Sequence, residues 1–175
     1  MNVSEALARA TSMIGKGTKY GLGKGGTNPA APTPADKNGY CDCSGFICWC
    51  LGLKRQTTHP AYPSGWINTS SIVADANSAV GFFSRLQTPT PGALWVYGWR
   101  QKRPGHVAII ETVSKSGCTI IHCSSGNGRR GDAIARTSAA LFEKNPAAVI
   151  AWYAGFDATS TPLAHELLDE IFLEA

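Results

Sequence analysis

The chain has 175 residues, 43% of them hydrophobic and 16% charged, with a net charge of +4 and a sequence pI of about 8.8. That length can bury a core without disulfides or metal, the composition is that of a globular protein, and no apolar run approaches a membrane span. The mild basicity is scattered apart from Arg100-Gln101-Lys102-Arg103 and Arg129-Arg130, with no nucleic-acid motif beside it, so nucleic acid is not expected as a partner.

From the N-terminus, Val3, Ala6, Leu7, Ala10, Met13 and Ile14 describe an amphipathic helix closed by Gly15. Glu5 and Arg9 interrupt it, so it lacks the apolar heart of a secretory signal, and any work outside the cytoplasm is expected to need another delivery route, such as phage lysis or a secretion machine. Residues 16–38 are dense in Gly and Pro and read as a loop; Gly21, Gly23, Gly25 and Gly26 do not follow the phosphate-loop order. Asp42 is a good N-cap for a helix in which Cys43, Phe46, Ile47, Cys50 and Leu51 share one face and which ends near Gly52. An irregular stretch over 59–66 precedes a helix expected over 69–82. Thr90-Pro91-Gly92 is a turn before a strand over 93–97, and residues 106–112, 119–123 and 149–153 are strand-like segments of an antiparallel sheet. Between them, Ser125 to Gly131 reads as a flexible hairpin loop. Thr161-Pro162 opens a last helix over 161–174 whose apolar face, with Leu167, Leu168 and Phe172, needs a partner in this chain or another. No repeat or linker divides the chain, so a single α+β domain over 1–175 is expected, with its motifs between 16 and 155.

Two segments carry the chemistry. Asp42-Cys43-Ser44-Gly45 places a thiol in the first turn of a helix, where unpaired N–H groups favour an anion, and Gly105-His106-Val107-Ala108 places an imidazole at the start of a strand. A thiol attacks carbonyl carbon as thiolate, and both features are expected to lower its pKa. His122, on the next strand, supplies a third polar group. The six cysteines, 41, 43, 48, 50, 118 and 123, are expected to be mostly reduced and packed, because a free Cys43 leaves an odd number and Cys48 and Cys50 fall on different faces of one helix. A zinc site is the alternative use of these thiols, but C-x-C pairs lack the spacing of a zinc knuckle. His59 and His165 read as surface residues.

Taken together, Tyr20 with Gly25-Gly26-Thr27-Asn28-Pro29, Asp42-Cys43-Ser44-Gly45-Phe46, Thr90-Pro91-Gly92-Ala93-Leu94 and Gly105-His106-Val107-Ala108-Ile109 resemble the NlpC-type cell-wall cysteine peptidases of the papain-like superfamily. Ala93 stands where that family usually has aspartate. The resemblance implies a papain-like core with the nucleophile helix packed on an antiparallel sheet. It implies Cys43 as nucleophile, His106 as base and His122 as its orienting partner, with Tyr20, Asp42 and Ser44 lining a subsite for the free amine of a short peptide. It further implies hydrolysis in peptidoglycan stem peptides at the D-glutamyl to diamino acid bond, with no cofactor or metal. Gly105-His106-Val107-Ala108-Ile109-Ile110-Glu111 also suits the CHAP-type amidases, although the third residue there is usually Asn or Glu. A cysteine-rich metal-binding or interaction module on an inactive peptidase scaffold remains the non-enzymatic alternative.

Strand parity makes one geometric demand. For His106 and His122 to share a face of adjacent antiparallel strands, the loop between them must be odd in length, such as Val113 to Gly117, or a bulge must restore the parity. With the five-residue loop, Thr112 would oppose Cys118 and His122 would oppose Ala108.

Overall fold

A computed structural model describes residues 1–157; the helix expected over 161–174, the partner face proposed for it and His165 lie outside these residues. Asn2 caps α1 (Val3–Ser12) through a reciprocal capping box with Glu5. Inside the expected loop, β1 (Lys19–Tyr20) pairs in parallel with β2 (Tyr40–Cys41), and the chain then enters α2 (Cys43–Cys50). Every residue of α2 is buried, not one face alone. It is enclosed because α1 packs on one side and β5 (His106–Ser114) and β6 (Gly117–Cys123) on another.

The helix expected over 69–82 is shorter, α3 (Thr69–Ser78), and β3 (Phe83–Leu86) follows it directly. Asp75 is the reason. Its buried carboxylate accepts from the N–H groups of Gly81 (2.7 Å), Phe82 (2.7 Å) and Phe83 (3.0 Å) and from the Tyr62 hydroxyl, which turns the chain out of the helix through left-handed Ala79. His59 packs against the Tyr62 and Phe82 rings here, half-buried, and so departs from the surface position expected of it.

Beyond β4 (Leu94–Tyr97), β5 and β6 come the short helix α4 (Ser125–Gly128), β7 (Ile134–Ser138), the short helix α5 (Ala140–Glu143) and β8 (Val149–Tyr153). The strands form one antiparallel sheet in the order β3-β8-β4-β5-β6-β7. The α+β class is therefore as expected, and α4 replaces the flexible hairpin loop because Ser124 caps it through the Asn127 N–H (3.1 Å). Helix α2 lies against β5 and β6, while α3 lies against β3, β4 and β8. Residues 106–110 of β5 are all buried, so both sides of this central strand are covered.

The turn between β5 and β6 differs from the five-residue loop. Ser114 pairs with Gly117 across a two-residue turn, and Thr112 opposes Thr119, not Cys118. The register then shifts between Ile110 and Thr112, after which Ile110 opposes Ile120 and Ile109 opposes Ile121. An even turn plus a bulge at Glu111 satisfies the same parity, and the continued register sets His122 opposite Ala108. All six cysteines are buried and unbridged, and among the described residues no three His, Cys, Asp or Glu side chains converge as a metal site. No described helix is long and apolar enough to cross a membrane.

Candidate active site

Asp42 organises the start of α2. One carboxylate oxygen accepts from the Gly45 N–H (2.7 Å) and the Ser44 hydroxyl (3.2 Å), and the other accepts from the Gly23 N–H (2.6 Å) and Arg55 Nη2 (2.8 Å). Arg55 is 1% exposed and also donates to Ser44 Oγ (2.8 Å) and to the carbonyls of Lys24 (2.8 Å), Gly25 (3.0 Å) and Ile67 (3.3 Å). Its guanidinium lies over the Trp66 ring, 4.7 Å from the centroid. Each charge in this buried pair is thus hydrogen-bonded on several sides, the condition under which a buried ion pair is tolerated. Gly45 is needed because a Cβ there would stand 2.7 Å from both Arg55 Nη1 and the Lys24 carbonyl. Asp42, Cys43, Ser44 and Arg55 line a cleft of about 310 Å³ closed by Trp66, Asn68, Thr69, Trp99 and Gly105.

The Cys43 sulfur is approached by the backbone N–H groups of Val107 and Ser44, so it sits against β5 one residue beyond His106. Those contacts draw the thiol pKa down, as expected of a helix start. Burial and the Asp42 charge outweigh them, and the thiol is pushed up to about 12. The expected low-pKa thiolate is therefore corrected: burial of the sulfur and the Asp42 charge oppose the anion more than one helical turn favours it.

Across the site, His106 Nε2 and His122 Nδ1 are 2.7 Å apart, with the rings edge to face. His106 also stacks on Phe142, ring centroids 5.6 Å apart and 19° from parallel. Burial, followed by the neighbouring His122, lowers His106 to about 3; burial, followed by Arg130, lowers His122 to about 4. Both rings are neutral at pH 7, so each carries one proton and the hydrogen bond between them has a direction.

Two groups meet the far nitrogen of His122, and they ask for opposite tautomers. Thr137 Oγ1 lies 3.1 Å from Nε2 and donates its own proton to the Ser138 carbonyl (3.2 Å), which leaves it an acceptor for an Nε2–H. Asn127 Nδ2 lies 3.3 Å from Nε2 and 3.4 Å from the His122 carbonyl, with its amide orientation fixed by Arg130 Nη2 donating to Oδ1 (2.6 Å). When His122 donates to Thr137, its Nδ1 accepts from His106 Nε2–H, and His106 Nδ1 keeps a lone pair. When Asn127 donates to His122 Nε2, the chain reverses and that lone pair is lost. Only the first arrangement gives His106 a basic nitrogen, and Asn127 is compatible with it by turning its donor to the His122 carbonyl.

The structure therefore joins His106 to His122, sets the Cys43 sulfur against the backbone of Val107 next to His106, and places Asp42 and Ser44 in the cleft with Cys43. Tyr20 is half-buried near this group, its hydroxyl pKa driven upward by burial and then by Cys43 and Asp42. The sequence reading missed Arg55, Asn127, Arg130 as a hydrogen-bond donor to Asn127, and Thr137. Arg129-Arg130 was visible as a basic pair near His122, but nothing in the residues around Arg55 or Thr137 marks them, since their partners lie in distant segments.

A buried thiol at a helix start and a hydrogen-bonded pair of neutral imidazoles on an antiparallel sheet are the residue types from which a cysteine hydrolase site can be built. The CHAP domain profile matches residues 34–127, a span that holds Cys43, His106, His122 and Asn127. The chain belongs to the CHAP domain family, cysteine peptidases and amidases related to the NlpC type, whose domain is a hydrolase acting on peptidoglycan. The match falls on the second of the two cell-wall families that the sequence resembles. Among solved structures, that of Ly7917 is similar at 22% identity and a TM-score of 0.46, and that of Ly7917 with the hydrolyzing product of MDP at 18% and 0.42; each covers 86% of this chain. The chain spans 62% of the length of those two chains. No curated protein matches this chain.

Proposed function

We propose that this domain hydrolyses an amide bond in peptidoglycan stem peptides by nucleophilic catalysis, with Cys43, His106 and His122 in the roles of nucleophile, base and orienting partner. The observation that carries the reading is the 2.7 Å contact between His106 Nε2 and His122 Nδ1, with the N–H of Val107, the residue after His106, directed at the Cys43 sulfur. His106 Nδ1 takes the thiol proton as sulfur attacks the carbonyl carbon, and the backbone N–H of Cys43 contributes to the oxyanion site. The imidazolium then donates Nε2–H to His122 Nδ1 and passes the other proton to the leaving amine, whose C–N bond breaks. Water, deprotonated by the same nitrogen, hydrolyses the thioester and regenerates the thiol. Because both charged forms are disfavoured at rest, proton transfer accompanies attack and no preformed ion pair waits for substrate.

The bond we favour is D-glutamyl to diamino acid, since a histidine in the third position is the NlpC-type pattern; amidase cleavage of the CHAP type is the second reading. Asp42 already neutralises Arg55, so with Ser44 and Tyr20 it shapes and polarises the cleft wall for a substrate amine without supplying a free carboxylate charge. Mass spectrometry of fragments released from purified peptidoglycan tests both readings. A new amino terminus on the diamino acid supports the peptidase, separation of glycan from intact peptide supports the amidase, and no release by the wild type beyond Cys43→Ala ends both.

A further inference from the structure

A second cleft, of about 740 Å³, lies on the other side of the hairpin over 98–105 from the cleft that holds Cys43. It is lined by Tyr97, Arg100, Arg103 and Lys144 among others, and by no acidic residue. The hairpin is the shared wall: Trp99 and Gly105 line the cleft of Cys43, and Gly98, Arg100, Arg103 and Pro104 line the second, where Tyr97, paired with His106 across β4 and β5, sets its ring 6.4 Å from the His106 ring. The two clefts differ in charge. Beside Cys43 the cation Arg55 is matched by Asp42, whereas the side chains of Arg100, Arg103 and Lys144 meet no hydrogen-bond or ion-pair partner among the described residues.

The hairpin that presents the two arginines is built against local preference. Arg100 and Arg103 are directly opposed, joined by Arg100 N–H to Arg103 carbonyl (3.1 Å) and the reverse (2.7 Å). Directly opposed residues point to one side, so the two exposed arginines leave the hairpin on the same face, where like charges opposed across a ladder repel. The two-residue turn between them needs left-handed backbone at both positions, φ of 42° at Gln101 and 67° at Lys102, where Asn and Gly are the residues that adopt it readily. Left-handed backbone and like-charge opposition at one turn, on a hairpin that also walls the Cys43 cleft, are features a fold keeps where a ligand relieves them. Paired planar guanidinium groups fit a carboxylate by bidentate hydrogen bonding.

We propose that this cleft is a substrate subsite in which Arg100, Arg103 and Lys144 hold a carboxylate of the peptide whose amide bond Cys43 attacks. The inference rests on the stem-peptide reading above and adds the charge class that the site selects. It is tested with a synthetic γ-D-glutamyl stem peptide bearing free carboxylates and the same peptide with its carboxylates amidated. Wild type is expected to favour the free acid by about tenfold in kcat/KM, chiefly through KM, with the margin shrinking as salt rises. R100Q/R103Q and, from the opposite wall, K144Q bring that ratio toward one, while R136Q on strand β7, whose partner is Glu111 and which does not line this cleft, keeps it. An unchanged ratio in R100Q/R103Q and K144Q, with normal melting, overturns the proposal. If neither peptide is cleaved, the hydrolase reading fails separately, and calorimetry on the Cys43→Ala protein decides the cleft. Weaker binding of the free acid after R100Q/R103Q supports it. Equal binding, or binding of a phosphate-bearing wall polymer in preference to the free acid, overturns it.

Discussion

Asp42, one residue before the thiol, and His122, on the sheet beside it, are both buried polar groups, 2% and 6% exposed. They are held by different physics. Asp42 is fixed by permanent charge: Arg55, two backbone N–H groups and one hydroxyl saturate its oxygens, and nothing in the reaction needs to change there. His122 is fixed by register, then left a choice of proton position between Thr137 and Asn127. The difference teaches that the Asp42–Arg55 pair is a rigid mount for the helix, whereas on the proposed mechanism the two histidines of the sheet are where the base gains and passes its proton. Substitutions on the helix side should therefore register as stability, apart from the thiol itself, and substitutions on the sheet side as rate.

The largest effect is expected from Cys43→Ala, a loss of about 10⁴-fold or more in kcat with the melting temperature little changed, measured by fragment release and calorimetry. Next, Arg55→Met leaves Asp42 as a lone buried charge and should cost about 3–5 kcal/mol in urea unfolding, with much of the loss recovered in Arg55→Met/Asp42→Asn. Full stability of the single variant would show that the helix side is not mounted on this pair. His122→Ala should lower kcat about a hundredfold while leaving measurable turnover, because it orients the base without transferring a proton to substrate. The smallest change sharpens the contrast most: Thr137→Val removes only the acceptor that selects the productive tautomer, and about a tenfold fall in kcat is expected, with Thr137→Ser restoring the rate. Equal rates in Thr137→Val and wild type would assign tautomer control elsewhere.

How much of this was legible follows the same division. Helix α2 was readable because its apolar residues repeat at the helical period, strands β4, β5, β6 and β8 because their short runs are rich in β-branched and aromatic residues, and β8 matches its expected span of 149–153. The nucleophile motif announced its own cap, since Asp42 acts on Gly45 only three residues away. Arg55 gave no such signal, because its partners at Lys24, Gly25, Asp42 and Ile67 are assembled only by the fold. The parity requirement for the two histidines was sound, but the device that meets it was not foreseen. Glu111 marks the bulge, and its carboxylate is taken up by Arg136 on β7, a strand whose five residues, Ile134 to Ser138, hold only Ile134 and Ala135 as apolar side chains, too few to be read. The thiol's position was read correctly and its pKa was not, because helix-start electrostatics are local whereas burial belongs to the whole domain.

The pH dependence of Cys43 alkylation by iodoacetamide, followed by intact-protein mass in wild type and His106→Ala, bears on the central claim that the site rests as neutral thiol and neutral imidazole. With the thiol pushed up to about 12 and His106 drawn down to about 3, the thiolate fraction grows with pH throughout the working range. The predicted rate therefore climbs about tenfold per pH unit from pH 5 to pH 9, in both proteins. A rate that is high and flat across that range in wild type, and lost in His106→Ala, would reveal a preformed thiolate–imidazolium pair and contradict the account.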